Sequence, residues 1–374
     1  MVLKSISSGC TFKKKCAIVK TYKNKVKGDV MSFTKEKREQ IKRYILEKVD
    51  AEQKDIAKKT SDTFEISLNT VYRYIRELEK DKIIEKRENE YKFVEKVETF
   101  ILDRDAGELK EEDDVYERRI KKYILGLPDN VRKIWEYSFM EMMNNAIDHS
   151  EAKFVMITVR QSYMNTYIFI GDTGVGIFRK IKEFYGYESL DDAVNELFKG
   201  KLTTDSKNHS GEGIFFTSRV LDKFAALSDG KMFTHDKYVD VLQNLDEIAP
   251  LVDLKNNEGT IIMMKLSNFS NKKLVEVFDM YADVNGGFTR THIPIKNIYE
   301  TYPVSRSQAK RLCNRFDKFE EVELDFKEVD EVGQGFAHEI FVVFQNMHPE
   351  VKIIPVNMSE TVKKMINHVI LTKN

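Results

Sequence analysis

The chain has 374 residues, 43.7 kDa, with 61 basic residues balanced by 61 acidic ones, which excludes a uniformly basic nucleic-acid coat and an acidic tail protein. At roughly 150 residues per domain this length predicts two or three domains, and the 41% hydrophobic content supplies their cores. No run approaches the ~18 apolar residues of a membrane span, and three cysteines (Cys10, Cys16, Cys313) exclude a disulfide framework, so a cytoplasmic, reducing setting is expected.

Residues 1–30 are lysine-rich and aperiodic, and read as a disordered basic arm or as an over-extended start ahead of Met31. Counted over residues 1–100, 25 basic residues face 17 acidic ones, so the rest of the chain carries the compensating negative excess. Three helical patterns follow, at 35–49 with Ile41, Tyr44, Ile45 and Val49 on one face, at 53–59, and at 67–80 with Ser67 as N-cap and Val71, Ile75 and Leu78 on one face. Two short β-like runs, 83–86 and 91–94, close the segment. Three helices and a hairpin over 31–97 make a winged helix-turn-helix pattern. Opposite the apolar face of the third helix stand Asn69, Thr70, Tyr72, Arg73 and Arg76, and the wing carries Lys86, Arg87 and Lys92. These types suit base edges and phosphates, so double-stranded DNA is the expected partner. A protein-interaction winged helix with a solvated basic face is the alternative.

Residues 98–114, ending in the charged DRDAGELKEEDD run, read as a linker. The next segment, 115–270, opens with a long helical region reaching His149, followed by strand patterns at 154–160, 166–170, 231–233 and 260–266 with helices between. That is an α/β sandwich. A third unit, 285–374, alternates strand (292–295), helix (305–316), strand (321–326), helix (336–347), strand (351–355) and helix (359–371), with Ser305 and Gln308 as a capping box. The fold class expected is therefore α/β, multidomain.

Three motifs fall in order across 141–213. In the first, Glu141, Asn145 and Asp148 share a narrow arc of one helix. A carboxylate stacked on a carboxamide can activate a water and meet Mg²⁺, a hard cation that prefers oxygen. The second, Gly171-Asp172-Thr173-Gly174-Val175-Gly176, follows a strand. Closely spaced glycines admit a flat ligand, and a buried Asp beside them accepts from an exocyclic amine, which is adenine chemistry. The third is Thr203-Thr204, then Gly211-Glu212-Gly213 at a helix start, a backbone cradle for phosphate. Residues 177–210 read as a mobile lid between them. Other nucleotide motifs fail: Gly200-Lys201 runs into Leu202, and Arg179 and Phe216 stand where the two glycine pairs need a third glycine. His338-Glu339 lacks a second His, since Val342 occupies its place.

The ordered trio resembles the N, G1 and G2 boxes of the Bergerat-type ATP-binding domain shared by type II topoisomerases, heat-shock chaperone ATPases, sensor histidine kinases, mismatch-repair ATPases and anti-sigma-factor serine kinases. The resemblance spans roughly 115–268. It implies an ATP and Mg²⁺ site with Glu141 activating water, Asn145 on the metal, Asp172 on adenine, and Gly174, Gly176, Gly211 and Gly213 at lid hinges and phosphate turns. Gly259-Thr260 resembles the family's last box, which adds Thr260 to the site. Residues 303–374 resemble the STAS-like domain that often follows such ATPases, in 304–311, 323–326 and 332–339. Gly333-Gln334-Gly335 stands at the turn where anti-anti-sigma STAS proteins carry a phosphorylatable Ser. Together these imply an ATP-dependent, DNA-binding transcriptional regulator with slow ATPase activity, a STAS-like domain that meets a protein partner, and a homodimer built through the ATP domain. The alternative is an anti-sigma-type serine/threonine or histidine protein kinase acting on a separate partner. A further reading makes ATP a structural ligand of an interaction module.

Overall fold

The structure, a computed structural model, describes residues 33–202, 211–236, 259–299 and 301–372. It has mixed α/β architecture, and its contacts divide into two units. The first comprises the described residues up to Lys82 with Lys86–Lys92, and the second comprises Ile83–Glu85 and the described residues from Phe93 onward.

In the first unit, helices α1 (Lys35–Asp50), α2 (Ile56–Phe64) and α3 (Leu68–Lys80) pack on one another. Their buried faces are Ile41, Ile45, Leu46 and Val49 of α1, Ile56 and Ala57 of α2, and Val71, Tyr74, Ile75 and Leu78 of α3. The i, i+3/i+4 spacing of these residues is what makes each helix amphipathic. Thr34 caps α1 by accepting from Lys37 N–H (3.3 Å), and Ser67 caps α3 by accepting from Thr70 N–H (3.2 Å). Lys42 of α1 pairs with Glu77 of α3 at 2.8 Å. Strands β1 (Ile84–Arg87) and β2 (Glu90–Phe93) form a hairpin whose turn residues, Glu88 and Asn89, have φ +44° and +76°. Two positive φ values in a two-residue loop match the strands' right-handed twist.

The second unit is built on a six-stranded antiparallel sheet in the order β3-β4-β5-β8-β6-β7. Its strands are β3 (Lys96–Asp103), β4 (Phe154–Gln161), β5 (Asn165–Asp172), β6 (Lys223–Ser228), β7 (Lys231–Thr234) and β8 (Ile261–Ser267). Its helices are α4 (residues 112–124), α5 (Asp129–His149), α6 (Ile177–Tyr185), α7 (Leu190–Lys199), α8 (Gly213–Val220) and α9 (Leu274–Tyr281). A second sheet of three parallel strands, β9 (Arg290–Pro294), β10 (Glu321–Asp325) and β11 (Lys352–Val356), has β10 in the middle. Parallel neighbours need crossovers. The single turn α10 (Ile295–Ile298) and α11 (Arg306–Cys313) supply the first, α12 (residues 334–347) supplies the second, and α13 (Glu360–Leu371) ends the fold. The capping box at α11 forms as expected: Gln308 N–H donates to Ser305 Oγ, and Ser305 N–H donates to Gln308 Oε1. One buried apolar cluster runs from Leu102 through Trp135, Phe215 and Phe288 to Val369, so both sheets share a continuous core.

Two expectations are corrected here. Residues 98–114 are not a linker. Residues 96–103 are the edge strand β3, antiparallel to β4 from Lys96↔Gln161 to Asp103↔Phe154. The charged run beyond is tied down by Arg104, which donates to Ala152 O (2.7 Å) and Ile147 O (2.8 Å), and by buried Leu109. The reading failed because that strand's pairing partner lies some sixty residues ahead. The expected lid span, 177–210, is largely helical over its described length. Helices α6 and α7 fill 177–199 and bury Phe178, Ile181, Ala193, Leu197 and Phe198, with a Ser189/Asp192 capping box opening α7.

Among the described residues no helix is long and apolar enough to cross a membrane.

Candidate functional site

Helix α5 starts directly after Pro128 and turns Ile134, Trp135, Phe139, Met142 and Met143 into the core. That orientation leaves Glu141 and Asn145, one turn apart, half-buried on the rim of a cavity of about 290 Å³. The cavity is walled by α5, the end of β5, α6, the end of α7, the start of α8, and β8. Of the residues expected at a nucleotide site, Glu141, Asn145, Asp172, Gly176, Gly211, Gly213 and Thr260 line it. Four segments, each 27 to 47 residues from the next in sequence, thus converge on one space.

Asp172 closes β5. Its Oδ1 accepts from Gly174 N–H (2.9 Å) and Thr260 N–H (3.2 Å), and its own N–H donates to Thr260 O (2.9 Å). Thr260 Oγ1 in turn accepts from Ile177 N–H (3.0 Å), which fixes the start of α6. Burial pushes the Asp172 carboxyl up to about 6, against the two N–H donors that favour the ionised form. Gly213, at the start of α8, lies against Glu141: a Cβ there would stand 2.1 Å from Glu141 Oε2. Only glycine permits this approach. Burial raises the Glu212 carboxyl, opposed by the charge of Lys201, while burial lowers the Lys201 ammonium. Ile170, Ile181, Leu197 and Ile262 supply apolar wall.

Several site expectations do not hold. Asp148 is exposed and does not line the cavity. It shares the angular face of Glu141, but seven residues along a helix is roughly 10 Å, which carries it past the cavity. Gly174 does not line it either; it packs on the end of α5, where a Cβ would fall 1.8 Å from Ser150 O. Thr203 and Thr204 lie outside the described residues, as does the 1–30 arm. Conversely, Asn144, His149 and Lys180 line the cavity and were not anticipated. Lys180 Nζ donates to His149 O at 2.7 Å. Asn144 sat within the first motif and was legible there; Lys180 carried no sequence signal. The described residues contain no cluster of three or more His, Cys, Asp or Glu able to hold a metal. A carboxamide and a carboxylate one turn apart still suit a Mg²⁺ held mainly by phosphates and water.

On α3, Asn69, Tyr72, Arg73 and Arg76 are exposed, as are Lys86, Arg87 and Lys92 on the hairpin. Thr70 is half-buried, and its hydroxyl is shared with the Ser67 cap at 3.0 Å. Arg76 Nε donates to Tyr72 O, and the Arg73 guanidinium stacks over Tyr74. The basic excess of this end is concentrated in residues 1–30, which hold 8 basic and 1 acidic residue, while 31–95 hold 16 and 15.

Residues 308–363 match the family described as the STAS-like domain of unknown function (DUF4325). They span α11 from its third residue to the first turn of α13 and include two of the three parallel strands. No curated protein matches the chain.

Proposed function

We propose that residues 115–270, within the second unit, are a Bergerat-type domain that binds an adenine nucleotide with Mg²⁺ and hydrolyses it slowly. The observation that carries this reading is the convergence of Glu141, Asn145, Asp172, Gly213 and Thr260 on one half-apolar cavity. Asp172, with Oδ1 held by two N–H groups, presents its second oxygen to the exocyclic amine of adenine. Ile170, Ile181 and Ile262 supply apolar surface for a flat ring. The amides at the start of α8 face the phosphates, where the helix dipole favours negative charge. Asn145 would hold Mg²⁺, which neutralises phosphate charge when bound. Glu141 accepts a proton from a water whose oxygen attacks the γ-phosphorus. The bond to the bridging oxygen breaks, and ADP and inorganic phosphate leave. Calorimetric titration of the full chain with ATP, with and without Mg²⁺, tests the reading. Saturable heat that depends on Asn145 and Mg²⁺ supports it, and no heat in wild type refutes it.

The exposed polar face of α3 favours a second element of the reading, in which the first unit is a winged helix that sets α3 into the DNA major groove and nucleotide state governs dimerisation of a transcriptional regulator. With residues 31–95 near neutrality, the basic residues of 1–30 supply the long-range attraction. The kinase alternative predicts γ-phosphate transferred to a protein side chain in place of free phosphate, and radiolabelled ATP separates the two.

A further inference from the structure

Gly200 and Leu202 form the lip of the cavity next to Gly211, and Leu202 N–H donates to Gly211 O at 3.0 Å. What holds this lip is a stretch of chain more than a hundred residues downstream. Arg315, just past α11 and 12% exposed, donates through Nη2 to Gly200 O (3.2 Å) and Lys201 O, and through Nη1 to Glu196 Oε2 (3.0 Å). Lys199, 0% exposed, donates to Glu196 Oε1 (2.6 Å), Asn314 O (2.8 Å) and Arg311 O (3.2 Å). Lys201 Nζ reaches Lys318 O at 2.9 Å.

One buried carboxylate faces a buried ammonium and a half-buried guanidinium, and backbone carbonyls accept the other two N–H donors of Lys199 and two from Arg315. Charged groups are taken out of water at such cost only where geometry is closely met. Glu196 and Lys199 are a local pair on α7, three residues apart. Arg315 is the member that clamps the lip backbone itself, and its planar guanidinium holds its acceptors in one fixed plane, which a rotating ammonium does not.

We propose that Arg315 is a positioning residue for the nucleotide site: from the STAS-like part of the chain it fixes the Gly200–Leu202 backbone, and through Leu202 the Gly211 turn that faces phosphate. The proposal rests on the nucleotide reading above. It makes the segment after α11 a control point, because a partner that pulls Arg315 away loosens the lip, and by linkage nucleotide resists that partner.

The test uses the full chain as wild type, Arg315→Ala and Arg315→Lys. Without nucleotide, hydrogen–deuterium exchange at Leu202 should quicken by roughly tenfold or more in Arg315→Ala, the worth of charge-assisted hydrogen bonds, while β5 amides stay protected. By calorimetry, Mg-ATP affinity should fall by a similar factor while adenosine, held through Asp172, binds as in wild type. Arg315→Lys, which keeps the charge opposite Glu196, should fall between and repeats both readouts if the alanine variant does not fold. Unchanged exchange at Leu202, or equal losses for ATP and adenosine, overturns the positioning role while leaving nucleotide binding intact. A wild-type chain that binds neither ligand overturns the nucleotide reading and this one with it.

Discussion

Asp172→Asn separates the stability of the cavity from its use. The substituted amide keeps an oxygen for Gly174 N–H and Thr260 N–H, which hold Oδ1 at 2.9 and 3.2 Å. That requirement fixes the rotamer, so the new NH₂ group takes the place of the second carboxylate oxygen and meets the adenine amine donor to donor. Losing one charge-assisted hydrogen bond costs about 1.5–3 kcal/mol, roughly ten- to a hundredfold in affinity. Meanwhile the buried charge disappears. The carboxyl is raised from 3.8 to about 6 by burial. A group raised this way stabilises the fold below about pH 4, and that contribution is lost as pH rises through about 6. The variant should therefore unfold at the same or a higher temperature than wild type at pH 7, by on the order of 1–3 kcal/mol, while binding adenosine more weakly. Wild-type affinity for adenosine should climb between pH 5 and 7, as the carboxylate forms, and that climb should vanish in Asp172→Asn. Thermal unfolding and calorimetry across this pH range measure both. Undiminished adenosine affinity in the variant, or a flat wild-type profile, would refute the assignment of Asp172 as the adenine acceptor.

Glu141→Ala should retain Mg-ATP affinity and lose turnover by roughly 10²–10⁴-fold, the range of a positioned general base, as read by phosphate release. Gly213→Ala places a methyl 2.1 Å from Glu141 Oε2; the carboxylate must swing aside, and turnover should drop by on the order of 10²-fold with little change in unfolding temperature. For the first unit, a gel-shift titration should show DNA affinity falling steeply with salt, and each of Lys86→Ala, Arg87→Ala and Lys92→Ala should lower the log–log slope by about one. Arg73→Ala should instead relax sequence preference, and retained preference would remove it from the base-reading set.

What the sequence disclosed follows from how local each signal is. Glu141 and Asn145 were legible because four residues on a helix return to the same side, and Asp172 because a strand running into glycines announces a turn. Asp148 shows the limit of angular reasoning: a helical wheel has no axial coordinate, and the cavity has an end. Strand β6 escaped notice because Phe224, Ala225 and Ala226 are all buried, so no alternation marks it. In the sequence nothing marks Glu196 and Lys199, whose i, i+3 spacing is that of any helical ion pair. Only the arrival of residues 311–315 from elsewhere in the chain makes them interior, and no periodicity encodes an encounter across that separation. Helices α6 and α7 were expected only as helices between strands, without bounds, although Phe178 and Ile181, and Val194, Leu197 and Phe198, fall at helical spacing.

The buried clamp also bears on how such a chain can diverge by recombination. A chimaera that joins the cavity-bearing region to a foreign C-terminal domain would bring Glu196 and Lys199 against a surface with no guanidinium and no matching carbonyls. Lys199 would still face Glu196, but it would lose the carbonyls of Arg311 and Asn314, and each buried donor left unsatisfied costs about 1–3 kcal/mol, a large part of a domain's stability. The seam also cannot be cut at the start of the family match, because β9, the edge strand of the parallel sheet, precedes residue 308, and Thr291 on it donates to Lys199 O at 2.7 Å. Exchange of C-terminal domains between relatives should therefore succeed only when the junction lies ahead of α7, so that Glu196, Lys199 and Arg315 travel as one inherited block.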